Sequence, residues 1–78
     1  RGIAMNISIE YCSVWNYLPK ASSLEAEIKQ VFPASEIELI SSGGGVFEIK
    51  IGNDLIFSKK SLGRFPESGE ILSLIKKH

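Results

Sequence analysis

A strand pattern that breaks off just before a helical pattern commits the start of this chain to a β–α unit, and the break falls at its only cysteine. In Asn6-Ile-Ser-Ile-Glu-Tyr11, Ile7 and Ile9 alternate with Ser8 and Glu10, the period of two that marks a strand with one buried face. Tyr11 ends the run as a good strand former. From Leu18 the spacing changes: Ala21, Leu24, Ile28, Val31 and Phe32 fall on one face of a helix, and Pro19 suits its first turn. Cys12 is therefore expected in a strand-to-helix turn, Cys12-Ser-Val-Trp-Asn16.

That position has chemical meaning. The partial positive charge and free N–H groups at a helix start stabilise a thiolate and lower a cysteine pKa from its usual ~8.5. The thioredoxin-like layout places a Cys-x-x-Cys motif at such a turn, where the first sulfur attacks a disulfide and the second resolves the mixed disulfide. Here the fourth position is Trp15. Spacing alone leaves the competing reading open, that a single cysteine is simply a small buried hydrophobe.

A chain of 78 residues has room for one small domain with one modest core. Its 44% hydrophobic and 23% charged residues are those of a folding sequence, not a disordered one. Nine basic and nine acidic residues cancel, so no global field favours nucleic acid, an anionic membrane or an acidic substrate, and attraction to a ligand must be local. One cysteine makes no internal disulfide, which favours a reducing cytoplasm. The apolar runs are far short of the ~20 residues of a membrane span, and nothing ahead of the first strand reads as a signal peptide. Met5 is the candidate native start, so residues 1–4 are set aside from the functional argument.

The first helix should stop at Phe32-Pro33, since proline disfavours helical geometry before it. Glu36 to Ile40 alternates again with Ile37 and Leu39 inward, giving a second strand parallel to the first through a right-handed crossover. Ser41-Ser-Gly-Gly-Gly45 breaks the pattern. It lacks the Lys-Ser/Thr of a P-loop and the spacing of a dinucleotide fingerprint, so it reads as a tight connection and not a phosphate cradle. Val46 to Ile51 and Asp54 to Ser58 flank Gly52-Asn53, the signature of an antiparallel hairpin. Lys59 to Arg64 is a basic connection, and Pro66 to Lys77 a final helix. Its acids Glu67 and Glu70 come first, its lysines Lys76 and Lys77 last, and Ile71, Leu72, Leu74 and Ile75 form its buried side.

The order strand, helix, strand, strand, strand, helix predicts an α+β fold: a two-layer sandwich of a four-stranded mixed sheet and two helices. With the first two strands parallel, one end of the sheet gathers the end of strand one, the Ser41 to Gly45 loop and the Lys59 to Arg64 connection. Cys12 is expected there, at least partly accessible, facing Gly43 to Gly45 and a basic patch of Lys59, Lys60 and Arg64.

Taken together, Ile9-Glu-Tyr-Cys-Ser-Val-Trp-Asn-Tyr17, the helix closing in Phe32-Pro33, Gly44-Gly-Val-Phe-Glu-Ile49, Leu55-Ile-Phe-Ser-Lys-Lys60 and Gly63-Arg-Phe-Pro-Glu-Ser-Gly-Glu70 resemble the selenoprotein W family of Rdx-type thioredoxin-like proteins. The resemblance runs from about Asn6 to the C-terminus. It implies a thioredoxin-like fold carrying a Cys-x-x-Cys or Cys-x-x-selenocysteine motif, in a family linked to thiol redox control and glutathione. Cys12 matches the first position of the motif, and Trp15 falls where the selenocysteine or second cysteine stands. Selenocysteine is encoded by UGA, one base from the tryptophan codon UGG. A tryptophan at position 15 is what a selenocysteine codon read or rewritten as tryptophan would leave, and the native codon decides.

The function expected is a cytoplasmic thiol redox protein, a thiol–disulfide oxidoreductase or a peroxide-reducing one. Cys12 and Trp15 are its catalytic positions, and Gly44, Gly45, Lys59, Lys60 and Arg64 its substrate-binding surface. Glutathione or protein thiols and disulfides are the expected partners; the chain is expected to be monomeric, without metal or cofactor, nucleic acid or membrane. The alternative is a non-enzymatic interaction module that keeps the fold, with Trp15 and nearby apolar residues as its surface. Lone His78 makes no metal-ligand cluster, Ser13 has no histidine close in sequence to activate it, and Glu10, Glu48, Tyr11 and Tyr17 default to surface or packing roles.

Overall fold

In a computed structural model, residues 5–78 are described, so the reading of residues 1–4 lies outside the described residues. The chain runs β1 (Asn6–Cys12), α1 (Leu18–Val31), β2 (Glu36–Ser42), β3 (Phe47–Ile51), β4 (Asp54–Ser58), α2 (Lys59–Leu62) and α3 (Glu70–Lys77). The sheet order is β2-β1-β3-β4. β1 pairs parallel with β2 and antiparallel with β3, which makes the first strand a central one. This is the mixed four-stranded α+β arrangement that the alternating patterns predict.

The period-two alternation decides which face is covered. Ile7, Ile9, Phe47, Ile49, Ile51 and Phe57 of the sheet form one buried cluster with Ala21, Leu24 and Ile28 of α1 and Ile71 and Ile75 of α3. Register places Glu10 opposite Glu48 and Ser8 opposite Lys50 on the other face, which no helix of the cluster covers. Each large aliphatic side chain buried this way contributes roughly 1.5–3 kcal/mol. The hairpin turns through Gly52 at φ 60°, with Ile51 opposite Asp54 and a register irregularity at Ile49/Lys50.

Local chemistry moves several boundaries. β2 extends through Ser42 because Tyr11 and Cys12 continue the parallel ladder against Ser41 and Ser42. Val46 lies outside β3, although its carbonyl accepts the Cys12 N–H at 2.9 Å. Val31, placed on the buried face by spacing, is 43% exposed at the end of α1, where the helix outruns the sheet's cover. The basic connection contains a helical turn, α2: the Ser58 hydroxyl accepts from the Ser61 N–H, and Gly63 ends the turn at φ 74°. The last helix starts at Glu70, not Pro66, because Gly69 takes a left-handed conformation (φ 78°) and leaves Glu67 in the preceding loop.

Candidate active site

The ends of β1, β2 and β4 and the start of β3 meet at one end of the sheet: Cys12 pairs with Ser42, Tyr11 with Phe47, and Glu48 with Ser58. There β1 hands over to a turn held by backbone bonds. Ser13 N–H donates to the Ser42 carbonyl at 3.0 Å, Asn16 N–H to that of Ser13 at 3.1 Å, and Tyr17 N–H to that of Cys12 at 3.0 Å. Asn16 closes the turn at φ 60°, a conformation sparsely populated outside glycine. The Trp15 N–H points at Cys12 and donates to its Sγ at 3.3 Å.

Cys12 is 0% exposed, which corrects the expectation of partial accessibility. Alternation along β1 turns Cys12 away from the covered face, and it is not a member of the hydrophobic cluster. Beside it the Ser13–Asn16 turn and the Ser42–Val46 connection are bonded to the strand end. The Gly43 to Gly45 loop does lie beside it, bracketed by the bonds that Ser42 and Val46 accept.

Trp15, 60% exposed, rests its ring on Gly45. A Cβ built on Gly45 would stand 2.6 Å from Cζ3 of the indole, 3.0 Å from Cε3 and 3.1 Å from Cη2. Gly45 is thus required twice, for this close approach and for its φ of 73°. Gly44 shares the φ of 73° but faces open space. Trp15 also meets Tyr17 edge-on at 6.2 Å, and Tyr17 meets Phe65 at 4.8 Å.

The three basic residues assigned to this end fare differently. Lys59 lies over the Tyr17 and Phe65 rings, 5.7 and 5.5 Å from their centroids. Lys60 is exposed at the surface of α2. Arg64 is engaged elsewhere: its guanidinium grips both oxygens of Glu70 at 2.8 and 3.0 Å. That hydrogen bond raises the Arg64 pKa, and with the bond from the Glu67 N–H it lowers Glu70 to about 2. The cation that joins Lys59 is Lys20, 4.6 Å from the Phe65 centroid. Sequence reasoning passed over Lys20 because it lies on the solvent side of α1; the only signal for it was its place one turn into a helix that starts beside Tyr17.

A groove of about 320 Å³ opens between α1 and the Phe65–Ser68 segment, and neither Cys12 nor Trp15 lines it. Among the described residues no cluster of three or more metal-ligating side chains occurs, and no helix is long and apolar enough to cross a membrane.

The model of the Rdx family matches residues 6–77. The chain is 33% identical over 76 residues to mouse migration and invasion enhancer 1, covering 97% of this chain and 66% of that protein. It therefore spans just under two thirds of that relative's length. Selenoprotein W of chicken is 31% identical over 75 residues, with 91% of this chain and 87% of that protein covered. A solved structure of a selenoprotein W-related protein from Vibrio cholerae superposes with TM-score 0.90 at 27% identity, covering 96% of each chain. The solved structure of a protein from Bordetella parapertussis gives TM-score 0.91 at 26% identity, covering 97% of this chain and 99% of the other.

Proposed function

The chain belongs to the Rdx family, a membership that makes it a redox-type protein, and on that premise we propose that it works on thiols and disulfides with Cys12 as nucleophile. The observation that carries the reading is the Trp15 N–H aimed at the Cys12 Sγ at 3.3 Å. A backbone donor so placed hydrogen-bonds the sulfur, and the thiolate is the form that attacks a disulfide. The Cys12 thiolate attacks one sulfur of a disulfide; the new S–S bond forms as the old one breaks, and the second sulfur leaves as a thiolate. Position 15 carries no sulfur or selenium in this chain, so a second, external thiol must release Cys12. In a native protein with selenocysteine or cysteine at 15, that residue would do so internally, and a UGG codon in the native gene would exclude the selenocysteine origin.

Glutathione is the proposed small partner, its carboxylates drawn by Lys59 and Lys20 beside the Tyr17 and Phe65 rings. Gly44, which faces open space, would leave room for it near the strand end, and the proposed setting is a reducing cytoplasm. Incubation with oxidised glutathione followed by intact mass tests the reading: one adduct is expected, abolished by Cys12→Ser. An unmodified chain under mildly alkaline conditions would mean an inert thiol and sink it.

A further inference from the structure

The proposed nucleophile is fully enclosed, while the residue whose backbone N–H binds its sulfur carries a side chain that is mostly in water. We propose that Trp15 is a gate over Cys12, seated on Gly45, and that the thiol meets its partners only when the indole leaves that seat. The biological meaning of the gate rests on the reading of Cys12 as a nucleophile, but its physical test does not.

The closed state is held by few contacts. The indole touches Gly45 where any other residue would place its Cβ, meets Tyr17 edge-on at 6.2 Å, and is otherwise solvated, 60% exposed. The same residue's backbone N–H donates to the Cys12 Sγ at 3.3 Å, so the indole is anchored next to the sulfur it is proposed to guard. Next to it Asn16 stands at φ 60°, a left-handed conformation outside the regular helix and strand. On the other side the seat is fixed, because Ser42 and Val46 are bonded to Ser13 and Cys12 and hold the glycine loop against β1. A segment with little buried apolar surface and one strained residue belongs to the low-stability end of the local-opening range.

Modification of an occluded thiol proceeds at the rate of the free thiol multiplied by the open fraction. Emptying the seat should therefore accelerate alkylation of Cys12 by iodoacetamide in the native protein. Trp15→Ala removes the gate, and Gly45→Ala blocks the seat with a Cβ 2.6 Å from the ring. Each should raise the rate roughly tenfold, the scale of losing one aromatic contact and its shielding. Gly44→Ala is the control, since it imposes the same φ of 73° with nothing within 4 Å; its rate should stay within about twofold of the parent. The double variant Trp15→Ala/Gly45→Ala should be no faster than Trp15→Ala, because both act on one contact. Trp15 is the only tryptophan, so Gly45→Ala should also shift its emission toward that of a solvated indole. Should Gly45→Ala not fold, Trp15→Ala against the Gly44→Ala control decides alone.

An unchanged rate in Trp15→Ala would overturn the gate and assign the closure to the Ser13–Asn16 backbone. Equal acceleration by Gly44→Ala would overturn it too, in favour of loop strain. Faster alkylation in the variants without any glutathione adduct would leave the gate standing and remove the redox reading; an adduct with no dependence of rate on Trp15 would do the reverse.

Discussion

Two loops touch through the edge-on contact of Tyr17 and Phe65, and they are secured in opposite ways. The Ser13–Asn16 turn has backbone bonds, one strained residue and an indole largely in water. The Arg64–Gly69 loop is clasped: the Arg64 fork on Glu70 is reinforced by the Glu67 N–H on Glu70 Oε1 at 2.9 Å. Arg64 also donates to the Phe65 carbonyl at 3.1 Å, which sets the ring against Tyr17 and Phe47. The contrast separates two tasks at one end of a sheet. One loop covers the sulfur and can yield, and the other fixes the wall against which it yields.

The strongest way to sharpen the contrast is to give the yielding loop a second sulfur. Trp15→Cys recreates Cys-x-x-Cys with the backbone of residue 15 already against the Cys12 Sγ, so a glutathione adduct should form and then be expelled as the internal disulfide closes. The parent should keep its adduct until an external thiol is added. Intact mass over time distinguishes the two, and a variant that retains the adduct like the parent would show that position 15 is not a resolving position.

Next in size is the floor that both loops share. Phe47 is 1% exposed, packs against Phe65 at 5.3 Å and follows Val46, whose carbonyl takes the Cys12 N–H. Phe47→Ala should lower the unfolding free energy by about 3–5 kcal/mol in urea titration. A loss no larger than that of a surface substitution would mean the loops are supported independently.

The clasp itself predicts an acid dependence. The folded pKa of Glu70 is about 2 against an ordinary 4.5, so the folded state releases this proton more readily than the unfolded chain. Its contribution is present above the ordinary value and is lost as pH falls from about 4.5 through about 2. The stability gap between parent and Glu70→Gln should narrow over that window, to a modest extent because the pair lies at the surface. A gap independent of pH would show that shape and not charge holds the loop. Smallest of all, His78→Ala should change stability by less than about 0.5 kcal/mol. Its 2.9 Å pair with Asp54 is exposed and sits at the hairpin end of the sheet, away from both loops.

What the sequence disclosed follows from the range of the forces involved. β1, β4 and the hairpin were legible because alternation and a Gly-Asn turn are local signals, and α1 because Pro19 and Pro33 bracket a single apolar face. The short α2 was not, since four residues hold no periodicity; its cues were only Ser58 and Gly63 at the two caps. The start of α3 was misplaced because Gly69 adopts a left-handed conformation that composition does not announce. At the site, the place of the glycine loop beside Cys12 was readable from strand direction. Its burial was not, because strand alternation says nothing of the turn that follows, where Asn16 takes φ 60° and the Trp15 ring lies on Gly45. Arg64 read as a free cation until Glu70, six residues on, claimed it.

The central place of β1 has a consequence for the order in which the chain matures. Ile7 has Ile37 as neighbour on one side and Ile51 on the other, so β1 has both edges paired only after the chain through β3 has been made. Non-local pairing of this kind is slow to form compared with the helices and the hairpin. Until then the bonds from the Cys12 and Ser13 N–H groups to the Val46 and Ser42 carbonyls cannot all be in place beside the thiol. The nascent chain thus exposes to oxidants and electrophiles the sulfur that the finished protein guards, and completion of the sheet doubles as a chemical maturation step for the site.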